Sequence, residues 1–496
     1  MKSLSQGLVA FPLLAFAVSC LDTNGGGDHA MAAAASSEAA AASSETAALV
    51  ALTADGSAAL LDRLNAIAGV EAKALAPTPS TPPGVLEFAL TIDQPVDHAN
   101  PSGEHFRQRL VLRHRGEGRP MSLALSGYDI GSGTRTFDTD VSALLGGNAL
   151  LVEHRFYGAS TPASRDFRLL TIEQDAADDH HIVEALKTIY GGPWVSEGGS
   201  KGGMTALYHR RFFPDDVAGT VAYVAPNSYG RDDPRYALFL EKVGDRDCRE
   251  RLVGAQREAL ARRDELLAEM TEFAAFFGLT YDVLGMDVAF EHTIIESRFY
   301  FWQFGNRACA DIPPPGASAF DLFVFFLDVA GLGFYLADDE LARFESFYYQ
   351  ASTELGYYGP SLGFRLHDLL EYPGTFSQST YPPDVPKKFV PKAMPDIQLW
   401  LATQGRRVML VYGETDPFTA GAFFLGNAKE SYRFVNAGAD HITGFAEMSD
   451  VDFATAVGAL EAWTGVTPAP RVAGRAAGGE AAFGERGWYA TRAPGR

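Results

Sequence analysis

Cysteine is scarce. The 496 residues contain three, Cys20, Cys248 and Cys309, with no C-x-x-C spacing, which argues against a zinc or iron–sulfur centre built on cysteine. Positive charge is short as well: 41 Lys and Arg stand against 62 Asp and Glu, a net charge of −21. Nucleic acid and anionic membrane surfaces are therefore disfavoured as partners. The apolar run Leu8 to Val18 falls short of the ~20 residues that cross a bilayer comfortably. His180-His181 beside Asp178 and Asp179 looks metal-like on paper. Adjacent residues on a helix do not share a face, so these read as solvated or buttressing groups, as does Glu291-His292. No metal or cofactor site is expected, and no internal repeat is visible.

Aromatic residues, by contrast, are plentiful (34 Phe, 19 Tyr), and the length suffices for a large core or two units. The N-terminus has the pattern of export: Met1-Lys2, the apolar run, then Ala17-Val18-Ser19-Cys20. It resembles a bacterial lipoprotein signal over 1–20, with Cys20 becoming the lipidated first residue; the alternative is an ordinary cleaved signal. Residues 21–80 are Ala/Ser-rich and then Pro-rich and read as a disordered tether. In an exported chain Cys248 and Cys309 form an even pair and are predicted to bridge, two buried free thiols being the alternative.

From 81 to 234 the pattern is a β-rich lead-in followed by strand–helix–strand–helix–strand. Strands are predicted over 86–92, 106–115, 121–125, 149–156, 194–197 and 220–225, and helices over 172–189 and 204–213. This spacing predicts an α/β fold, a sheet with helices on both faces. Texture changes at about 234: residues 235–398 read as a large inserted helical cap, including one long helix over 249–271. The sheet resumes over 399–467, with strands at 407–412 and 432–435 and a closing helix at 451–463, and 468–496 is a flexible tail.

The centre of the chain is Gly198-Gly199-Ser200-Lys201-Gly202, a G-x-S-x-G nucleophile elbow between strand and helix. An exposed serine needs a base, and the base needs an anion to hold its tautomer; in this layout the chain order is Ser, acid, His. After residue 367 the chain has a single histidine, His441, in a Gly-rich loop straight after a strand. Asp416, at the tip of the turn before Pro417, is the predicted acid; Glu414 also qualifies but could instead cap the turn. The backbone N–H groups of Lys201 and Tyr128 are the predicted oxyanion donors, and no His-Gly-Gly-Gly run of the lipase kind is present. The Lys201 side chain reads most simply as a salt bridge, with Glu197 as one candidate partner. Glu153, closing a strand, could receive a substrate's amino terminus or simply pair with Arg155. Trp302, with Phe301 and Phe304, could line an apolar pocket or merely pack.

Gly198-Gly199-Ser200-Lys201-Gly202-Gly203-Met204-Thr205, then Tyr208-His209-Arg210-Arg211-Phe212, resembles the secreted serine peptidases of the S37 family, the PS-10 type. Val152-Glu153-His154-Arg155-Phe156, Val221 to Asn227, Thr353-Glu354-Leu355-Gly356 and Val411 to Pro417 are similar to the same family, and the likeness runs from about 85 to 465. That layout is similar to the prolyl carboxypeptidase and dipeptidyl peptidase II group, which implies an α/β-hydrolase core with a helical cap and Ser200, Asp416 and His441 as the triad. It also fits a disulfide at Cys248 and Cys309. The activity it implies is an exopeptidase that removes short peptides, tripeptides above all, from free N-termini, with a preference for proline before the cut. Thr415 and Asp440 stand where the family often has Asn. An extra acid beside His441 puts the pH optimum in question more than the class. The expected partners are peptides with a free N-terminus, with no nucleic acid, and a membrane only through the N-terminal lipid anchor of an exported protein. The competing readings are a carboxylesterase or lipase-like hydrolase on the same fold and a non-catalytic surface-binding protein.

Overall fold

The computed structural model describes residues 56–471 apart from 80, 132–137, 306 and 374–384. The signal sequence, Cys20, the tether up to residue 55 and the tail from 472 lie outside the described residues. Nine strands form a single sheet: β1 (Val70–Leu75), β2 (Leu86–Pro95), β3 (His105–His114), β4 (Met121–Leu125), β5 (Asn148–Val152), β6 (Trp194–Gly199), β7 (Gly219–Tyr223), β8 (Val408–Gly413) and β9 (Tyr432–Asn436). Their order is β1-β2-β3-β5-β4-β6-β7-β8-β9. The β1, β2, β3 and β5 pairings are antiparallel, and from β5 through β9 the neighbours run parallel. The chain leaves β4 for β5 on one side and returns to β6 on the other, so the strand order switches beside β6. Ligand sites of open α/β sheets gather at the carboxyl ends of strands at such a switch.

Burial follows neighbours. β4, β5, β7 and β8 are buried at every position, as parallel strands covered on both faces should be. Edge strand β9 alternates in part, with Tyr432, Arg433 and Val435 outside and Phe434 inside. On one face α1 (residues 56–65) and α3 (Ile172–Lys187) bury Leu60, Leu64, Ile182 and Leu186 against Phe88, Leu112 and Leu150. α3 begins where Thr171 accepts from the Gln174 N–H, with Glu173 and Asp175 in the first turn and Lys187 in the last, charges that suit the helix dipole. On the other face α2 (Asp140–Leu145) and the last helix, α13 (Asp450–Thr464), cover Val195, Val221 and Met409.

The helical insertion has a core of its own. It contains α5 (Arg235–Leu240), α6 (Arg246–Ala261), α7 (Arg263–Phe277), α8 (Met286–Phe304), α9 (Ala319–Ala330), α10 (Asp338–Arg343) and α11 (Glu345–Gln350). Leu252, Leu266, Phe290, Phe299, Phe326 and Leu341 pack within it. Cys248 and Cys309 form the predicted disulfide, tying α6 to the turn after α8. The chain then returns to the sheet through α12 (Ala393–Gln404).

Three sequence expectations change. The supposed tether contains α1 and β1, which extend the sheet by one strand; the short β1 pattern Val70, Ala72, Ala74 is diluted by Ala and Lys, and hydropathy alone misses it. The long helix over 249–271 is two, broken at Arg262, whose guanidinium holds Glu258, Glu265 and the Ala317 carbonyl. The strand expected to reach Phe156 stops at Val152, because Phe156 takes a positive φ of 65° that no strand continues through.

Candidate active site

β6 ends at Gly199, and Ser200 stands between it and α4 (Lys201–Phe212). Its backbone is strained, with φ 53° and ψ −122°, a conformation non-glycine residues keep only where the surroundings force it. Two contacts do so. The Ser200 N–H donates to the Tyr223 carbonyl at 2.9 Å. A Cβ at Gly202 would lie 2.2 Å from the Leu125 carbonyl oxygen, so only glycine lets the helix close against the end of β4. The result is a buried serine, 7% exposed, at the start of a helix whose first N–H groups face the same side.

His441 and Asp416 meet at the ends of β9 and β8. The imidazole Nδ1 and the Asp416 Oδ2 are 2.7 Å apart, and both side chains are fully buried. Asp416 also accepts from the Phe418 N–H at 3.0 Å, which fixes the carboxylate. The His441 main-chain N–H donates to the Gln303 carbonyl of α8 at 2.8 Å. The ring packs on Phe304 at 6.1 Å and Phe418 at 5.2 Å. Glu414, the alternative acid, caps the turn by accepting from the Gly438 N–H at 2.7 Å. Asp440 turns its carboxylate to the Ile442 N–H at 2.8 Å.

Ser200 and Lys201 line a cavity between sheet and insertion, and Phe304, Phe418 and Tyr128 line it with them. Because His441 packs on Phe304 and Phe418, serine and imidazole abut the same wall. Tyr128 follows Gly127, where φ is 76° and a Cβ would lie 2.5 Å from the Gly202 nitrogen; the loop after β4 is thus pressed onto the elbow. The Tyr128 N–H rests on Ser126 Oγ at 3.3 Å.

Three expectations are corrected. Glu153 does not reach this cavity. It accepts from Ser160 N–H and Oγ (3.0 and 2.7 Å) and from the Ile130 N–H (3.2 Å), faces Arg109 at 3.7 Å rather than Arg155, and lines a separate, polar cavity. Trp302 also points elsewhere: it packs on Gly244 and Phe301, while Tyr300, Gln303 and Phe304 on the same helix face the serine. Lys201 does not pair with Glu197, which accepts from Ser122 Oγ and Tyr223 OH; its ammonium lies over the Tyr128 and Tyr157 rings. The paired histidines do buttress: His180 Nδ1 lies 2.8 Å from Asp216 Oδ2, and His181 Nδ1 lies 2.7 Å from Gln94 Oε1.

The insertion supplies lining that sequence reasoning missed. Tyr335, Phe344, Phe347 and Tyr357 form walls, and Glu340 is the acidic residue among the described lining. Behind them Glu296, 1% exposed, accepts from Tyr358 OH at 2.6 Å and Tyr335 OH at 2.9 Å. Glu340 sits in Asp338-Asp339-Glu340, the first turn of α10, where an acid is ordinary on dipole grounds; no local signal marked it.

Comparison with known proteins agrees with this geometry. The family model for PS-10 peptidase S37 matches residues 55–486. The prolyl tri/tetrapeptidyl aminopeptidase of Streptomyces mobaraensis is 39% identical over 393 residues, 78% of this chain and 81% of that protein. The human lysosomal Pro-X carboxypeptidase is 39% identical over a shorter 101 residues, 18% of this chain and 20% of its own. The mouse thymus-specific serine protease is 30% identical over 203, 38% of this chain and 39% of its own. On a match that spans the whole described fold, the chain belongs to the PS-10 peptidase S37 family and is a peptidase.

Proposed function

We propose that the chain is a serine exopeptidase that removes short peptides, tri- or tetrapeptides, from free N-termini, with proline preferred before the cut. The observation that carries this reading is the strained Ser200 in an aromatic cavity whose Phe304 and Phe418 walls also pack on the imidazole of the buried His441–Asp416 pair, with Glu340 as the acid among the described lining. Neutral His441 takes the proton of Ser200 Oγ as that oxygen bonds to the scissile carbonyl carbon. Asp416 holds the Nδ1 proton and steadies the imidazolium. The Lys201 N–H and the Tyr128 N–H, turned from Ser126 Oγ, donate to the oxyanion. The tetrahedral intermediate collapses, the C–N bond breaks, and His441 gives its proton to the leaving amine. Water then repeats the sequence on the acyl-enzyme and frees the peptide acid.

Glu340, rather than Glu153, is the acid placed to receive the substrate's ammonium, and the distance from it to Ser200 sets how many residues leave. Flat aromatic walls suit a pyrrolidine ring. The relative's printed specificity supports the same substrate class. The lipoprotein-like pattern over residues 1–20 supports export with a lipid on Cys20 as the anchor; Cys20→Ser should then release the enzyme from the membrane fraction. The deciding test is a peptide library with free and blocked N-termini, read by mass. Tri- and tetrapeptides released from free ends alone are expected. Cleavage of aryl esters with no peptide released would instead favour an esterase.

A further inference from the structure

Lys201 is a buried cation whose side chain has no part in the acyl-transfer cycle. It is 1% exposed, and its Nζ makes no hydrogen bond among the described residues. Nζ lies 5.7 Å from the Tyr128 ring centroid and 5.4 Å from that of Tyr157. These two rings meet edge to face at 5.7 Å. Tyr157 packs in turn on His154 at 5.4 Å, and the His154 N–H donates to the Tyr128 carbonyl at 3.1 Å. An ammonium over aromatic rings is held by their quadrupoles, most strongly where water is excluded. From the cap side, Phe344 and Phe347 close on Tyr128 at 5.8 and 5.9 Å.

Building on the serine reading above, we propose that Lys201 is a positioning residue: its ammonium clamps the Tyr128 and Tyr157 rings and so holds the loop beside the elbow, where the Tyr128 N–H can turn from Ser126 Oγ to the oxyanion. One residue then serves both halves of the oxyanion hole. Its main chain gives one donor, and its side chain steadies the loop that gives the other. The close approach of Gly127 to the Lys201–Gly202 peptide, within 2.5 to 2.8 Å of a Cβ built there, makes the two halves one mechanical unit. A salt bridge would anchor the lysine to an acid; lying over two rings, it anchors the loop instead.

The charged groups around the clamp come from four elements. The loop after β4 brings Tyr128 and Asp129, the latter held by Arg343 of the cap at 3.4 Å. The turn after β5 brings His154 and Tyr157. Helix α3 brings Asp175 and Asp179, with Asp178 bound to Arg155. Tyr208 of α4 reaches Asp175. Burial lowers the Lys201 pKa to about 7, against the pull of Asp175 and Asp179 toward the charged form. Burial also drives His154 down and Tyr157 well up. It drives Asp179 well up too, with Asp175 and Asp178 adding to the rise, whereas His154 and then Lys201 hold Asp175 low despite its burial. The clamp therefore carries its charge below about pH 7 and loses it above.

The experiment is the rate at which a fluorophosphonate attaches to Ser200 in the full chain from pH 5 to 9, because its phosphoryl oxygen enters the oxyanion hole and it has no amine of its own to titrate. In the parent protein the rate should rise as the His441 imidazole loses its proton, a limb that Lys201→Met keeps, and then fall as the lysine loses its own through about pH 7. Lys201→Met should react at least tenfold more slowly at pH 6 and lose that fall. Equal rates at pH 6, or the same fall without the lysine, would overturn the proposal. Should Lys201→Met not fold, by its melting curve, Tyr157→Leu decides: it should show the same tenfold loss, and parental rates would overturn the clamp. No labelling of the parent at all would remove the serine reading and the clamp with it, whereas labelling with an unchanged Lys201→Met removes the clamp alone.

Discussion

The sheet and the cap hold their active-site groups in different ways. Ser200 follows β6 directly, and Asp416 and His441 sit in the loops after β8 and β9, held by main-chain hydrogen bonds: Ser200 N–H to the Tyr223 carbonyl, Phe418 N–H to the Asp416 carboxylate and His441 N–H to the Gln303 carbonyl. Glu340 and Phe347 sit on the short helices α10 and α11, and Tyr335 and Phe344 in the turns beside them, with the buried carboxylate of Glu296 accepting from Tyr335 and Tyr358 behind. On the function proposed above, the difference separates chemistry from selection: the sheet would carry the bond-breaking groups, and the cap would decide what reaches them.

Breaking the sheet side should cost most. Ser200→Ala should lower kcat by at least roughly 10³-fold with KM little moved, and Asp416→Asn by roughly 10⁴-fold, through the wrong imidazole tautomer; steady-state assays on a Pro-containing tetrapeptide amide check both. A cap change should separate selection from chemistry. Glu340→Gln should lower kcat/KM for free N-termini by about 10- to 100-fold, the worth of a charged hydrogen bond, while fluorophosphonate labelling of Ser200 stays within a few-fold. Equal losses on free and blocked peptides would erase the division drawn here.

Stability sharpens the contrast. Cys309→Ser opens a link spanning 61 residues of the cap and should cost about 2–4 kcal/mol, seen as a lower melting temperature. At the elbow the sign depends on pH. Lys201 is charged in the unfolded chain up to its ordinary 10.5 but in the folded protein only below about 7. Folding thus sheds a proton between those values, and this residue's penalty is full below pH 7 and fades as pH rises. Lys201→Met should raise the melting temperature more at pH 6 than at pH 10. The smallest effect is expected at Trp302, which faces Gly244 rather than the cavity: Trp302→Phe should leave kcat/KM within twofold.

How much was legible follows the same line. That Ser200 stands at a strand–helix elbow and that His441 meets Asp416 could be read because a strand–glycine–serine junction and a lone late histidine leave few choices. Most strands announced themselves through runs of Val, Leu and Ala, whereas β1 did not, its Ala and Lys carrying little hydrophobic contrast. Glu153 was placed correctly at a strand end, yet the turn at Phe156 folds Ser160 over its carboxylate, which no spacing reveals. Trp302 against Phe304 is a question of helix phase, and α8, buried on every side from Ala289 to Phe301 with Glu291, Glu296 and Arg298 among its apolar residues, shows no amphipathic stripe to give that phase. Glu340 depends on how α10 docks, a tertiary fact.

The hydrogen bond from His441 N–H to the Gln303 carbonyl has a last consequence. It fastens the general base to the roof of its own chamber. A shift of α8 would therefore be passed through the main chain to the imidazole.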